Sequence, residues 1–332
     1  MTGNGTTAMF LFFKTLEKKT EIIYPSITCV QAVNAAIFAG HKVIFSDVSS
    51  QNYTMSINNL KKVFTKKTMV AVPTHTFGNI CEIEKIVAFC KKKKILVLED
   101  ATQSFGAKTN GKIIGSFGDA SVLSFGYSKI LDCGSGGCIL TDNEKLYLKM
   151  LDFNRILNPK PNDYLKRINN YKKSYYDLKE EFFKNDKKFT EEIFNIQAKY
   201  KKIFIFKSNN SIERKIKNKL THVKRIINNR KKKYNIYKKD IKFISKPLNI
   251  GEIVPWRFVG LINKKRDFLV NSLRKINIDV STWYQPLHYI SPSKKTNYKN
   301  SVKIGEKIIN FWLDEKISIK KIKKDIKIIN NI

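Results

Sequence analysis

Leu96-Val97-Leu98-Glu99-Asp100-Ala101-Thr102-Gln103-Ser104 begins as a run of large apolar residues, turns acidic at two positions and passes into small polar ones. A short, continuously apolar run suits a strand covered on both faces, the signature of an interior parallel strand. An open α/β sheet holds its ligands beyond the carboxyl ends of its strands, which places Asp100 and Gln103 where a ligand would lie. The plainer reading of Asp100 is a cap on a following helix. The surroundings repeat the pattern. Strands are predicted at Ile22–Tyr24, Lys42–Phe45, Met69–Pro73, Ile95–Glu99, Ala120–Phe125 and Cys138–Thr141, and helices at Thr7–Lys18, Val30–Ala39, Ile57–Phe64 and Ile83–Lys94. This alternation predicts an α/β three-layer sandwich with a mostly parallel sheet. The Lys91–Lys94 run closes one helix, where cations oppose the helix dipole.

After Asp142 the texture changes. Residues 143 to 245 are rich in Lys, Asn and Tyr with helical periodicity, and Lys231–Lys233 reads as part of a long solvated helix face. From Val254 a third texture predicts a strand at Trp256–Leu261, a helix at Lys265–Ile276, a strand at Val280–Tyr284 and a closing Lys/Ile-rich helical tail. The division expected is a large domain over 1–205, carrying a helical insertion at about 155–205, and a smaller C-terminal α/β domain over 206–332.

The chain has 332 residues, 42% of them apolar and 12% aromatic, ample for a buried core, so disorder throughout is excluded. Its net charge of +35 is carried almost wholly by Lys, with eight Arg. A nucleic-acid surface would use Arg for bidentate contacts and gather its charge with aromatic residues; here Lys is spread over every segment, as on a solvated surface that attracts acidic small molecules. The five cysteines form no C-x-x-C pair, and no His stands at zinc-ligand spacing, so reduced thiols and no metal are expected. No stretch reads as a secretory or membrane-spanning segment, which leads to the expectation of a cytoplasmic protein.

Two further segments bear chemistry. Ser124-Phe125-Gly126-Tyr127-Ser128-Lys129 sets one Lys among neutral neighbours at the end of a strand, followed by Gly134-Ser135-Gly136-Gly137. An amine desolvated in this way loses proton affinity, as a Schiff-base lysine requires. Asn4-Gly5-Thr6-Thr7-Ala8 stands ahead of a helix, where small residues with open N–H groups receive a phosphate, or where a Thr simply caps the helix. A helix-end anion site, a strand-end acid and a strand-end Lys are together the parts needed to hold pyridoxal phosphate: phosphate anchor, pyridinium partner and amine.

On these residues the chain resembles the DegT/DnrJ/EryC1/StrS family of sugar aminotransferases, pyridoxal-phosphate (PLP) enzymes of the aspartate aminotransferase fold type, or PLP transferase type I. The resemblance runs in order through Gly5-Thr6-Thr7-Ala8, Pro25-Ser26-Ile27-Thr28, Gly40-His41-Lys42-Val43, Phe45-Ser46-Asp47-Val48, Pro73-Thr74-His75-Thr76-Phe77-Gly78, Glu99-Asp100-Ala101-Thr102-Gln103, Gly115-Ser116-Phe117-Gly118-Asp119, the Lys129 segment and Trp283-Tyr284-Gln285-Pro286-Leu287-His288. It implies that Lys129 carries the cofactor and moves the substrate proton, that Asp100 pairs with the pyridine nitrogen, and that Gln103 meets the ring oxygen. Ser124 and the Gly5, Thr6 and Thr7 backbone would hold the phosphate. His75, Tyr284 and His288 would lie near the ring or the sugar, although His75 reads equally well as a structural histidine. The implied reaction moves an amino group, usually from glutamate, to a nucleotide-linked keto-sugar for surface polysaccharide or related products, in a homodimer whose sites cross the interface.

Three departures from the family pattern stand out. Members usually carry some tens of residues ahead of the phosphate turn, which here begins at residue 5; that segment is expected to be needed for a complete site and dimer. Cys29 occupies the position of the aromatic residue that stacks on the cofactor ring. The Asn that members donate to the partner's phosphate site aligns with Ile205-Phe206-Lys207-Ser208, beside Asn209 and Asn210. These departures motivate an alternative, a non-catalytic relative with a binding or regulatory role. Dehydrating relatives lack the Schiff-base lysine, which Lys129 supplies here.

Overall fold

The computed structural model describes residues 1–17, 19–178, 186–242, 244–262 and 265–331. Its first half alternates as the hydrophobic pattern demands: α1 (Gly5–Lys14), β1 (Glu21–Pro25), α2 (Val30–Phe38), β2 (Lys42–Ser46), α3 (Ile57–Val63), β3 (Thr68–Ala71), α4 (Ile83–Lys93), β4 (Leu96–Asp100), a small hairpin of β5 (Lys108–Thr109) and β6 (Lys112–Ile113), β7 (Ala120–Ser124) and β8 (Gly137–Leu140). The main sheet runs β2-β1-β3-β4-β7-β8, parallel except for β8, which returns antiparallel to β7. Its order reverses between β1 and β3, so the loops that leave those strands part and open a crevice at the carboxyl edge. β4 and β7 deliver Asp100 and Ser124 to the same edge.

The start of α1 differs from expectation. The helix begins at Gly5 because Asn4 is the cap, its Oδ1 accepting from Thr7 N at 2.8 Å, and it ends at Lys14, short of the predicted Lys18. It is buried along nearly its whole length, between the sheet, α2 and the next helix, α5 (Glu144–Arg155). β8 approaches the helix start so closely that a Cβ on Gly137 would lie 2.4 Å from the Asn4 carbonyl carbon, a contact that only glycine permits.

The predicted helical region holds α5, α6 (Tyr164–Asp177), α7 (Lys187–Lys199), α8 (Asn210–Leu220) and α9 (Val223–Asp240); residues 179–185 of the expected insertion lie outside the described residues. The solvated face expected around Lys231–Lys233 is corrected in part. Lys232 is exposed, but Arg230 and Lys233 are buried, and Lys233 Nζ donates to Asp314 O at 2.6 Å. α9 turns that side onto a second sheet, so its charge pattern serves packing on one side and water on the other.

The second sheet is built from β9 (Ile244–Ser245), β10 (Arg257–Ile262), β11 (Val280–Ser281) and β12 (Ile308–Trp312) in the order β11-β12-β10-β9, with antiparallel pairing throughout. It is covered by α9, α10 (Arg266–Lys275) and α12 (Ile319–Ile329), whose Tyr237, Leu273 and Ile326 pack on Phe258 and Phe311. The closing tail is therefore not helical throughout. α11 (Lys299–Lys307) runs directly into β12, whose five residues pair with β10. No turn residue marks the junction, and tertiary pairing decides the conformation of Ile308-Ile309-Asn310-Phe311-Trp312. β11 is also shorter than predicted: after Ser281 the chain leaves the second sheet and packs Tyr284 against Phe77 of the first half.

Candidate active site

A cavity of about 290 Å³ opens at the carboxyl edge of the main sheet, with Gly5, Thr6, Cys29, Thr102, Ser124 and Lys129 on its wall. Tyr164 and Ile168 of α6, together with Phe204, close its far side. The three segments singled out in the sequence therefore meet. The junction is Thr102: Lys129 Nζ donates to its Oγ1 at 3.3 Å, and its own N–H donates to Asp100 Oδ1 at 3.1 Å. No helix follows β4, so Asp100 caps none; its carboxylate folds the turn that presents Thr102, and Oδ2 has no hydrogen-bond partner among the described residues.

At the other end of the cavity, α1 aims its N-terminus at Ser124. A Cβ on Gly5 would come within 3.1 Å of Ser124 Cβ and 3.3 Å of Ser124 Oγ, so glycine leaves a notch between helix start and hydroxyl that any side chain would fill. A notch lined by a hydroxyl and the positive end of a helix suits a phosphate. Thr6 lies on this wall but Thr7 does not. Thr7 is fully buried, its N–H held by Asn4 and its Oγ1 donating to Phe204 O at 2.9 Å. It fastens the Phe204–Phe206 segment to α1, which corrects its expected place among the phosphate contacts.

Lys129 keeps some exposure through the cavity, yet the atoms packed round it desolvate the ammonium and push its pKa down; Cys29 and Asp100 oppose that shift, and Arg257 adds to it. A lowered pKa is the condition for an amine that must be neutral part of the time. Cys29 stands at the N-cap of α2, facing the same space, and burial pushes its thiol pKa up against the pull of Lys129.

Gln103 lies behind this wall, its Oε1 accepting from Phe77 N at 2.8 Å and its Nε2 donating to the Tyr284 hydroxyl at 3.3 Å. The rings of Tyr284, Phe77 and Trp256 form a triangular cluster, with Tyr284 5.6 Å from Phe77 and 6.1 Å from Trp256 and the latter two 6.3 Å apart. Burial holds the Tyr284 pKa well above its ordinary value, so it remains a neutral phenol.

Both histidines are turned elsewhere. His75 Nε2 pairs with Glu99 Oε1 at 3.1 Å, and its Nδ1 accepts from Cys81 N at 3.2 Å. With Nδ1 accepting, the ring proton lies on Nε2 and is donated to Glu99, so the imidazole is neutral. Glu99 in turn receives the N–H groups of Gly115, Phe117 and Gly118; burial raises its pKa, while His75 and these amides bring it below the usual range. The pair organises the 115–118 turn, which is the structural reading of His75. His288 Nδ1 meets Ser26 Oγ at 2.8 Å, and the ring stacks on Tyr298 at 3.9 Å. Burial lowers its pKa to about 4. Neither histidine lines the Lys129 cavity.

Sequence reasoning gave no role to Thr102, Trp256 or Arg230. Arg230 carries a compositional signal: among eight arginines in a Lys-dominated chain, Arg230, Arg257 and Arg266 are buried, whereas Lys233 is the one buried lysine among the described residues. A larger cavity, about 440 Å³, between α10, β11 and Trp312 contains none of the predicted site residues. Among the described residues no group of three or more His, Cys, Asp or Glu could hold a metal ion, and no helix is long and apolar enough to cross a membrane.

The DegT/DnrJ/EryC1/StrS aminotransferase family matches residues 1–172. A GDP-perosamine synthase of Escherichia coli O157:H7 is 35% identical over 153 residues, covering 46% of this chain and 42% of that protein. The chain thus matches less than half the length of this curated relative. Among solved structures, PseC of Helicobacter pylori, an aminotransferase involved in the biosynthesis of pseudoaminic acid, superposes with a TM-score of 0.78 at 18% identity over 99% of this chain and 85% of that one. A GDP-4-keto-6-deoxy-D-mannose-3-dehydratase of E. coli with bound hydrated PLP gives 0.74 at 20% identity, over 99% and 86%. At these identities the likeness is one of fold: a mixed α/β sandwich of the PLP transferase type I.

Proposed function

Because this chain belongs to the DegT/DnrJ/EryC1/StrS aminotransferase family, we propose that it is a PLP-dependent aminotransferase that moves an amino group, from glutamate, to a keto-sugar carried on a nucleotide. The observation that carries this reading is the convergence of Lys129, the Asp100–Thr102 turn and the Gly5–Ser124 notch on one cavity. The fit is chemical as well as spatial. The notch offers a phosphate a hydroxyl and a helix N-terminus, and the buried Asp100 retains a carboxylate oxygen for a protonated ring nitrogen. PLP, when bound, supplies an electron-withdrawing ring that acidifies the α-carbon of an attached amino acid.

The rest of the work belongs to side chains of this protein. Ser124 and the α1 N-terminus would hold the phosphate, Asp100 would keep the ring nitrogen charged, and Lys129 would hold the cofactor through its amine and carry the substrate proton. Desolvation of Lys129 keeps part of its population neutral and able to accept that proton. Thr102 Oγ1 orients the amine. Cys29 offers less surface to the ring than an aromatic residue would, so more of the hold on the cofactor falls to the phosphate notch. A net charge of +35 draws a nucleotide diphosphate toward the site. Homodimerisation and a cytoplasmic setting complete the proposal.

Purified protein mixed with PLP should absorb in the visible, lose that band in Lys129→Ala, and convert a nucleotide keto-sugar to its amino form with glutamate, read by mass spectrometry. A colourless protein would refute the reading. Colour without amino transfer would favour a non-catalytic binding or regulatory role.

A further inference from the structure

Lys129 sits on a turn whose backbone is under strain. Ser128, which is not glycine, has φ of 63°, in the left-handed region. Asp132 ties the turn from within, its carboxylate accepting from Ser128 N at 2.9 Å and Gly134 N at 2.8 Å. These bonds use donors of the turn and leave its outward carbonyls to be satisfied from elsewhere. Both are satisfied from the second half of the chain. Trp256 Nε1 donates to Ser128 O at 2.8 Å, and Arg230 donates through one amino group to Lys129 O and through the other to Trp256 O, each at 3.0 Å.

This use of Arg230 is unusual for a buried guanidinium. It forms no salt bridge among the described residues, and its Nε has no acceptor there. Its bonds are thus committed to two backbone carbonyls, one of them that of Lys129 itself. Burying such a group for packing alone is costly, and an apolar side chain of similar length would often serve as well. The fork geometry explains the choice of Arg, because a Lys ammonium lacks the planar pair of donors that spans two carbonyls. Trp256 completes the link: its ring lies 5.7 Å from Lys129 Nζ and stacks toward Tyr284, which bonds Gln103.

We propose that Arg230 and Trp256 are positioning residues that clamp the Lys129 turn in its left-handed form, so that α9 and the segment entering β10 set the direction of the reactive amine. The inference rests on the PLP reading of Lys129 for its consequence, while the clamp itself is a property of the chain alone.

The test uses Arg230→Met, Trp256→Phe and, as a control, Lys233→Met, which removes a buried hydrogen bond one turn along α9 without touching the turn. PLP is added to each protein with cyanoborohydride, and the rate of modification at Lys129 is followed by peptide mass spectrometry, with surface lysines as internal standards. Arg230→Met and Trp256→Phe should each slow modification at Lys129 at least tenfold relative to those standards, with Lys233→Met unchanged. A smaller effect in the clamp variants, or an equal one in Lys233→Met, overturns the proposal.

Hydrogen–deuterium exchange of residues 126–133 reads the clamp without cofactor. Faster exchange in Arg230→Met and Trp256→Phe than in Lys233→Met is expected, and equal exchange contradicts it. Failure of the wild-type protein to modify Lys129 would instead defeat the PLP reading, and the exchange result would still judge the clamp. Should Arg230→Met not fold, Trp256→Phe decides alone.

Discussion

Gly5→Ala isolates the phosphate notch from the stability of the fold. Gly5 is the first residue of α1 and is not in the left-handed region, so alanine meets no backbone penalty there. Helix propensity favours Ala over Gly by about 0.5–1 kcal/mol in a helix interior, and less at its first position. Against this stands the new methyl, 3.1 Å from Ser124 Cβ and 3.3 Å from Ser124 Oγ, which obliges Ser124 to yield by a few tenths of an ångström. Overpacking of this kind costs about 1 kcal/mol at the low end of its range. The two effects nearly cancel, and the apo protein should unfold within about 1 kcal/mol of wild type.

The ligand feels the change differently. The methyl fills the space between helix start and hydroxyl, so a phosphate can no longer engage both. Losing one hydrogen bond to a charged group is worth about 1.5–3 kcal/mol, which is roughly 10- to 150-fold in Kd. Titration of PLP into apo protein, followed by absorbance beside a denaturant melt, measures both quantities. Binding by Gly5→Ala within twofold of wild type, at unchanged stability, would refute the placement of the phosphate.

Two other outcomes follow from the buried groups. Glu99→Gln sets an amide N–H against backbone donors and weakens the bond that His75 makes, so the protein should lose about 1–3 kcal/mol by urea unfolding; a loss under about 0.5 kcal/mol would contradict the structural role of the pair. His288, with a folded pKa of about 4 against an ordinary 6.5, contributes stability that is whole above pH 6.5 and disappears as pH falls through 4, at most about 3 kcal/mol; His288→Gln should flatten that acid limb. Urea midpoints should therefore fall as pH drops from 6.5 to 4, and a profile that rises over that interval would contradict the assignment.

Much of the main sheet could be read directly because its interior strands are largely buried and carry short apolar runs, as Ile95-Leu96-Val97-Leu98 does. The α1 boundary was misplaced because Thr6 and Thr7 resemble caps, whereas Asn4, three residues before Thr7, makes the bond. β12 was hidden because Ile308–Trp312 follows a Lys-rich helix without punctuation, and only its partner β10 distinguishes strand from helix there. At the candidate site, Lys129, Asp100 and Ser124 stand out in the sequence as candidates because each ends a recognisable strand or follows one. Thr102, Trp256 and Arg230 are joined to the Lys129 turn and to one another by contacts 26 to 128 residues apart, which no local pattern announces. His75 carried two readings from sequence, and the buried Glu99 carboxylate beside it distinguishes them.

The central claim is that one lysine among the many in this chain is set apart by its surroundings. Loading the protein with PLP, reducing it with borohydride and mapping the modified peptide puts this directly to the test. The account predicts one pyridoxyl group per chain, on Lys129, and none after Lys129→Ala. Modification spread over surface lysines in proportion to their exposure would contradict it.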